Sequence, residues 1–351
     1  MSEAARKVGF GIIGAGMISE LHANSLSTLD NARLVGFYDQ NYAAALARAK
    51  QFRAKAYENF EDFLADAEIE AVTIATPSGL HGKIGCLAAQ AGKHILCEKP
   101  LEITLEKVDE LLRACEENHV LLAPVFQTRF TRPVQLVREA MRAGRFGRMV
   151  LASAQMRWYR APSYYTGSNW RGTWAMDGGG ALMNQAIHTM DLLLYINGAP
   201  EEVFAYAGTL THSIEVEDNL TATVRYRNGS FGTIEVSTSC APGFARRLEF
   251  SGSGGTVAFE EDKISRWSFV EELPQDKEIL AELQGPADAR GGSSPMNINF
   301  TGHAAQLADL AEAIRSGRPL QLDGQEGRRA VEFICGIYES ARTGRPYRFS
   351  R

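Results

Sequence analysis

The hydrophobic pattern changes its rhythm once along this chain. Up to about residue 125, short apolar runs alternate with segments of helical period. KVGFGIIG (7–14), ARLVGFYD (32–39), AVTIAT (71–76) and HILCEKP (94–100) are apolar, mostly β-branched runs that read as buried strands. Residues 18–29, 41–52, 80–92 and 104–119 between and after them carry helical periodicity, and VLLAPVFQT (120–128) closes the series. Such alternation predicts right-handed strand–helix–strand units and a parallel sheet covered on both faces. From about residue 148 the period falls to two. MVLASAQMRWYR (149–160), EVFAYAGTLTH (202–212), LTATVRYR (220–227), SFGTIEVSTS (230–239) and RLEFSG (247–252) read as antiparallel strands, and Asn228-Gly229 predicts a type I′ hairpin. Residues 272–298 read as an extended loop, and helices are expected over about 302–316 and 325–342. The expectation is an α/β chain in two domains. Residues 1–126 form a doubly wound parallel sheet, and 127–351 an α+β domain with a large open, mainly antiparallel sheet.

One segment breaks the simple pattern. GALMNQAIHTMD (180–191) starts in a glycine cluster, Gly178 to Gly180, and runs on into LLLYI as an apolar helix. Asn184, His188 and Asp191 fall at i, i+4 and i+7, within roughly 60° of one another on an α-helix, and Tyr195 extends the stripe. A helix apolar on most sides is buried, so the stripe must meet a metal, a protein group or a substrate. A metal is disfavoured, because Asn is a poor zinc or iron ligand and no second histidine cluster completes a shell. No metal is expected.

Composition narrows the class without naming it. The 351 residues are 23% charged and 45% hydrophobic with a net charge of −5, and no basic run marks a nucleic-acid partner. No apolar stretch nears the ~18 residues of a membrane span, and MSEAARK does not read as a signal peptide. Five scattered cysteines without a CxxC pair argue against a disulfide framework and for a cytoplasmic location.

Four motifs carry candidate chemistry. In GIIGAGMIS, Gly14, Gly16 and Ser19 stand at G-x-G-x-x-G positions after a strand and before a helix. Glycines there permit a tight turn and close approach of a pyrophosphate to the helix N-terminus. Asp39, at the end of the next strand, suits ribose hydroxyls, and Gln40, Asn41 and Tyr42 after it supply no cation for a 2′-phosphate. That favours NAD over NADP. Glu98-Lys99-Pro100 closes a strand, where ligands of open α/β sheets bind; Lys99 could stabilise a developing alkoxide, Pro100 is a candidate cis proline, and a surface Glu-Lys pair would look the same. TPSGLH (76–81) ends the preceding strand, with Thr76, Pro77 and Ser78 beside the cofactor and His81 as a cap, packing residue or catalyst. RWYRAPSYYTGSNWRGTW (157–174) concentrates aromatics and arginines, suited to stacking on sugars and gripping carboxylate or phosphate, or to packing the loop on its sheet. Arg129 in QTRF could add a charge. A neutral imidazole at His188 is the group a hydride-transfer enzyme needs to take a hydroxyl proton.

Together GAGMIS, Asp39, TPSGLH, Glu98-Lys99-Pro100, WRGTW, GGGALMNQAIH with Asp191, and YESARTGRP resemble the glucose-fructose oxidoreductase/inositol dehydrogenase/rhizopine-catabolism family, Gfo/Idh/MocA, over essentially the whole chain. The resemblance implies an N-terminal Rossmann domain binding NAD and a C-terminal substrate domain whose open sheet builds homodimers or homotetramers. It implies Lys99 and His188 as the catalytic pair. It implies Asn184, Arg129, Tyr165, Trp170 and Arg171 around the substrate. The cofactor would be held by Gly14, Gly16, Met17, Ile18, Asp39, Thr76, Pro77, Ser78, His81, Glu98, Lys99 and Gln127. Many members have Asp where this chain has Asn184, which points to a hydrogen-bonding role there. YYTGSNWRGTWAMDGGGALMNQAIH with HSIEVEDN is similar to sugar-nucleotide 3-dehydrogenases acting on UDP-N-acetylglucosaminuronate, and dehydrogenases of simple sugars share many of these residues. The expected activity is oxidation of a secondary pyranose hydroxyl, at C3. The alternatives are an NAD-dependent glycosidase working by oxidation and elimination, a keto-sugar reductase, and a non-catalytic NAD-binding regulator.

Overall fold

In the computed structural model, which describes residues 6–283 and 301–350, each apolar run of the N-terminal region becomes a strand. In chain order these elements are β1 (Val8–Ile13), α1 (Met17–Ser27), β2 (Ala32–Tyr38), α2 (Tyr42–Phe52), β3 (Lys55–Tyr57) and α3 (Phe60–Ala65). They continue with β4 (Ala71–Ile74), α4 (His81–Gln90), β5 (His94–Cys97), α5 (Leu105–Glu117) and β6 (Leu122–Pro124). The six strands pair in the order β3-β2-β1-β4-β5-β6, all parallel. Every residue of β1 and β4 is buried, as a sheet covered on both faces requires. The strand order reverses beside β1, the topological switch point where such sheets bind dinucleotides.

The second region follows the period-two pattern. It contains α6 (Arg132–Arg142), β7 (Met149–Arg157), the short α7 (Ser163–Thr166), α8 (Ile187–Asn197), β8 (Pro200–Gly208), β9 (Asn219–Tyr226) and β10 (Phe231–Ser237). β11 (Arg247–Gly252), β12 (Gly255–Glu260), β13 (Lys263–Phe269) and α9 (Pro274–Leu283) come next. The chain closes with α10 (Thr301–Ser316), α11 (Gly324–Thr343) and β14 (Tyr347–Arg348). Eight strands form one sheet in the order β13-β12-β11-β7-β10-β9-β8-β14. Its pairs are antiparallel except β7 with β10, which run parallel. Strand β9 shows the expected alternation, with Leu220, Ala222, Val224 and Tyr226 buried and Thr221, Thr223 and Arg225 exposed.

Three expectations change. The hairpin at Asn228-Gly229 is not type I′, which needs positive φ at both residues; only Gly229 has it (φ 86°). The Gly229 N–H donates to the Tyr226 carbonyl and the glycine closes a type I turn. Asn228 is retained for its side chain, which accepts from the Ser230 N–H and donates to the Asn197 carbonyl. The stretch read as a loop over 272–298 starts with helix α9, begun by Pro274 at its first position. Asp276 anchors it, accepting from the Leu273 N–H, from Trp267 Nε1 and from both terminal nitrogens of Arg145. Residues 284–298 of that stretch lie outside the described residues.

The third change concerns the boundary. The chain divides into two compact units, Met1–Gln127 with Asn299–Val331, and Thr128–Ile298 with Glu332–Arg351. Of the described residues, 301–331, placed with the C-terminal domain by the sequence reading, cluster with the first unit. The reason is packing: Leu307, Leu310 and Ala311 of α10 join Val8, Phe10, Ile12, Ala23, Leu26, Phe37 and Leu96 in one buried core. Gln306 donates to the Pro124 carbonyl, and Arg328 grips Asp109. Each large apolar side chain buried here contributes about 1.5–3 kcal/mol, so α10 is integral to this core.

Candidate active site

In the first unit the glycine turn is built as its spacing predicts. Gly14 takes φ 101°, and a Cβ there would lie 2.6 Å from the Ala75 carbonyl oxygen, so only glycine lets β1 turn against β4. A Cβ on Gly16 would meet nothing within 4 Å, which leaves open space at the N-terminus of α1. That helix has no side-chain cap, and Met17 is exposed beside it. Ser19 replaces the third glycine without harm: it is buried and its hydroxyl turns back onto the Gly16 carbonyl at 2.6 Å. Asp39 is held in place from both sides, one oxygen accepting from the Ala15 N–H at 2.7 Å and the other from the Asn41 N–H at 2.8 Å. Sequence spacing missed Arg48. Helix α2 carries it back to the turn, where it bonds the Gly16 carbonyl and pairs with Glu20.

The carboxyl ends of β4 and β5 add the next groups. Thr76, Pro77 and Ser78 form the turn into α4. His81 is a packing residue: it is buried, with Nδ1 2.7 Å from the Pro100 carbonyl and Nε2 2.9 Å from the Thr76 carbonyl. It thereby ties the two strand-end loops together around the cis Lys99–Pro100 peptide. Lys99 is half-buried at the end of β5. Buried side-chain oxygens on Thr76 and Gln127, both expected at the cofactor, have no hydrogen-bond partner within the protein. Open space over Gly16, an uncapped helix end and these two oxygens fit a dinucleotide.

Glu98 faces inward. It accepts from His22 Nε2 at 2.8 Å and from the Lys99 N–H at 3.2 Å, with His303 Nε2 3.9 Å away. Burial pushes its carboxyl up, but the His22 hydrogen bond and the neighbouring positive groups outweigh this and hold it at about 2. Burial pulls His303 down to about 4, so that ring is neutral at pH 7 and His22 is the main support. These three residues are of metal-ligand type, with ligand atoms within 4.8 Å of one another, yet the His22–Glu98 spacing is that of a hydrogen bond.

In the second unit the polar stripe is divided. Residues Ala181–Gln185 form a π-helical turn and α8 starts at Ile187, so Asn184 and His188 do not share one regular helix. Gly179 and Gly180, before the turn, leave no room for a ligand over their Cα atoms. They pack on protein: a Cβ on Gly180 would lie 1.9 Å from the Glu217 carbonyl oxygen, and one on Gly179 2.2 Å from the Tyr338 hydroxyl. The Glu217 carboxylate accepts from the Gly180 and Leu182 N–H groups and from the Tyr338 hydroxyl, fixing the turn. Burial pushes that carboxyl up to about 7 despite these donors. Glu217 lies in HSIEVEDN and Tyr338 opens YESARTGRP, stretches that carry the resemblance, but their spacing in the chain gives no sign that they meet at this turn.

Each stripe residue has a different environment. Asp191 is buried and bound by Arg129 through Nε at 2.9 Å and Nη2 at 2.6 Å, and Tyr195 stacks under that guanidinium at 4.3 Å. Arg129 was expected at the substrate; its fork is turned onto Asp191 because a buried guanidinium needs a counter-charge. Asn184 donates to Asp177 and accepts from Gln185 Nε2 at 2.9 Å. His188 is half-buried on the first turn of α8. Tyr165, also expected at the substrate, is buried, bonds Thr238 Oγ1 at 3.0 Å and packs on His212, and burial pushes its hydroxyl up to about 12. Trp170 and Arg171 are half-buried, with Arg171 4.4 Å from the centre of the Tyr164 ring.

The fold and the glycine turn define an NAD-binding oxidoreductase. Residues 8–126 match the oxidoreductase family with an NAD-binding Rossmann fold, and residues 134–258 match the GFO/IDH/MocA C-terminal domain. The chain belongs to the Gfo/Idh/MocA family, a family of dehydrogenases acting on sugar hydroxyls, and NAD is its cofactor. It is 25% identical to the myo-inositol 2-dehydrogenase of Thermotoga maritima, over 92% of each chain. It is 27% identical to the UDP-N-acetylglucosamine 3-dehydrogenase of Acidithiobacillus ferrooxidans, over 92% of this chain and 93% of the relative. The crystal structure of the WlbA dehydrogenase from Bordetella pertussis, in complex with NADH and UDP-GlcNAcA, superposes with TM-score 0.88 at 33% identity. The match covers 99% of this chain and 100% of that one.

Proposed function

We propose that this protein oxidises a secondary hydroxyl, at C3, of a pyranose sugar, glycoside or sugar nucleotide with NAD. His188 takes the hydroxyl proton, and Lys99 donates a hydrogen bond to the same oxygen as negative charge develops there. NAD, when bound, supplies the hydride acceptor. Asn184 orients the sugar together with Trp170 and Arg171, whereas Arg129 and Tyr165 act at one remove by holding their loops. The observation that carries the reading is the imidazole of His188, half-buried at the start of α8 directly after the Glu217-braced turn. A regulator that only senses NAD has no use for such a placed base, nor for Lys99 at a strand end.

The test is a panel of neutral sugars, glycosides, inositols, sugar acids and UDP-sugars incubated with NAD or NADP. NADH formation and released sugar are both followed. Net NADH from a sugar supports the reading; cleavage of a glycoside without net NADH would instead mean an oxidation–elimination glycosidase. We also propose self-association through the open sheet, supported by exposed Val150, Leu151, Tyr206 and Phe231, of which Leu151 and Phe231 are register partners. A monomer mass by light scattering at micromolar concentration contradicts it.

A further inference from the structure

Helix α2 brings to the glycine turn a cation that the residues directly after Asp39 do not supply. Gln40, Asn41 and Tyr42 carry no positive charge, yet Arg48 reaches back over the turn from the second part of α2. Its Nη2 donates to the Gly16 carbonyl at 3.2 Å and its Nε to the Ala15 carbonyl at 3.5 Å. The Ala15 N–H in turn donates to Asp39 Oδ2 at 2.7 Å. Through Ala15, the Asp39 carboxylate and Arg48 Nε are therefore at most about 10 Å apart. A strand-end acid takes the adenosine ribose hydroxyls, and a nearby arginine is what accommodates a 2′-phosphate instead. Arg48 is thus a cation suited to NADP in a chain whose cofactor is NAD.

What Arg48 already holds resolves the conflict. Its Nη1 donates to Glu20 Oε2 at 2.5 Å and to Gln51 Oε1 at 2.9 Å. Four of its five N–H groups are taken, two by carbonyls of the turn, one by a carboxylate and one by an amide. Gln51 closes the ring by donating Nε2 to the other Glu20 oxygen at 3.0 Å. The Gln51 amide and the Arg48 guanidinium hold the Glu20 carboxyl below its usual range, so it is ionised at pH 7. Glu20 stands in the first turn of α1, the helix whose N-terminus is open over Gly16. The pair is not a stability device. The side chains keep 21% (Arg48) and 41% (Glu20) of their surface in water, and ion pairs so open contribute little to folding.

We propose that Glu20 is a specificity residue for the cofactor. It neutralises Arg48 and pins it to the Ala15 and Gly16 carbonyls, which denies a 2′-phosphate its cation and adds a second negative charge to that of Asp39. Selection of NAD over NADP then rests on two carboxylates, only one of which stands where a strand-end acid is expected. The inference is independent of the sugar, because NADH and NADPH differ only at the 2′ oxygen and their binding needs no substrate.

The experiment titrates NADH and NADPH into the full-length protein without sugar, followed by nicotinamide fluorescence and calorimetry. Wild type should bind NADH at least about tenfold more tightly than NADPH, the scale of one charge-assisted hydrogen bond. Glu20→Ala removes charge and acceptor together. It should improve NADPH affinity relative to NADH about tenfold, with NADH affinity within about threefold of wild type. Glu20→Gln keeps an acceptor for Arg48 and should give a smaller gain; it decides alone where Glu20→Ala does not fold. Adding Arg48→Met to Glu20→Ala should return the ratio to the wild-type value, which ties the gain to the released guanidinium. Three results overturn the proposal: wild type that binds both cofactors equally, Glu20 variants whose ratio stays at the wild-type value, and a gain that survives Arg48→Met. The second would leave Glu20 and Arg48 as a brace of the glycine turn alone.

Discussion

Replacing Asp191 with Asn removes one charge and almost no volume, yet it should be among the most damaging single changes in the second unit. Asp191 is 1% exposed and Arg129 5%. The carboxylate accepts two hydrogen bonds from the guanidinium, at 2.6 and 2.9 Å. Breaking a buried pair by neutralising one partner leaves the other charge stranded, at a cost of about 3–5 kcal/mol. The Tyr195 ring, 4.3 Å from the guanidinium, still compensates part of it, about 0.5–2 kcal/mol, so roughly 3 kcal/mol is the expected loss. Against the usual 5–15 kcal/mol of a native protein that is a large fraction. Urea unfolding followed by far-ultraviolet circular dichroism and by calorimetry should show the loss in the transition of the second unit. The double change Arg129→Met with Asp191→Leu should recover most of it, since apolar replacement of a buried pair is often neutral. A loss below about 1 kcal/mol for Asp191→Asn, the scale of an exposed pair, would refute the reasoning.

Two further substitutions probe the turn in front of His188. Glu217 has a folded value of about 7 against an ordinary 4.5, so it takes up a proton on folding between those values. Its contribution is present in full below pH about 4.5 and lost as pH rises through about 7, at up to about 1.4 kcal/mol per pH unit. His303, pulled down to about 4, works in the opposite sense below its ordinary value, so the difference between wild type and Glu217→Gln isolates the effect. Urea midpoints from pH 5 to 8 should fall in wild type relative to the variant; parallel curves contradict the assignment. Gly180→Ala drives a methyl group into the Glu217 carbonyl oxygen, 1.9 Å away, and should cost about 1–3 kcal/mol or more. An unchanged melting temperature would show that the π-turn does not need this close approach.

The first unit was legible because its signals are local. Strand-end glycines, Asp39 and Glu98-Lys99-Pro100 each sit where a βαβ unit places them, and the parallel order follows from the alternation. What escaped the sequence is non-local. Nothing in the period of Leu307, Leu310 and Ala311 says that they close a core more than 200 residues upstream. Arg48 reaches the glycine turn only because α2 folds back along β2. In the second unit, Asn184, His188 and Asp191 looked alike in a 3.6-residue wheel, but one extra residue per turn at Ala181–Gln185 breaks that wheel. Charge pairing decided the rest: Arg129 went to Asp191, Arg145 to Asp276, and Arg171 was left among rings. Spacing identifies candidate groups, whereas desolvation decides which of them are satisfied internally.

The central claim is that Lys99 and His188 carry out proton transfer on a sugar hydroxyl, and one measurement meets it directly. Lys99→Met and His188→Asn are assayed for NADH formation on the best substrate of the panel, with NAD affinity measured separately by calorimetry. The account predicts that each variant binds NAD within a few-fold of wild type while kcat falls by about two to four orders of magnitude. Turnover within about threefold of wild type in either variant, with NAD binding intact, would contradict it.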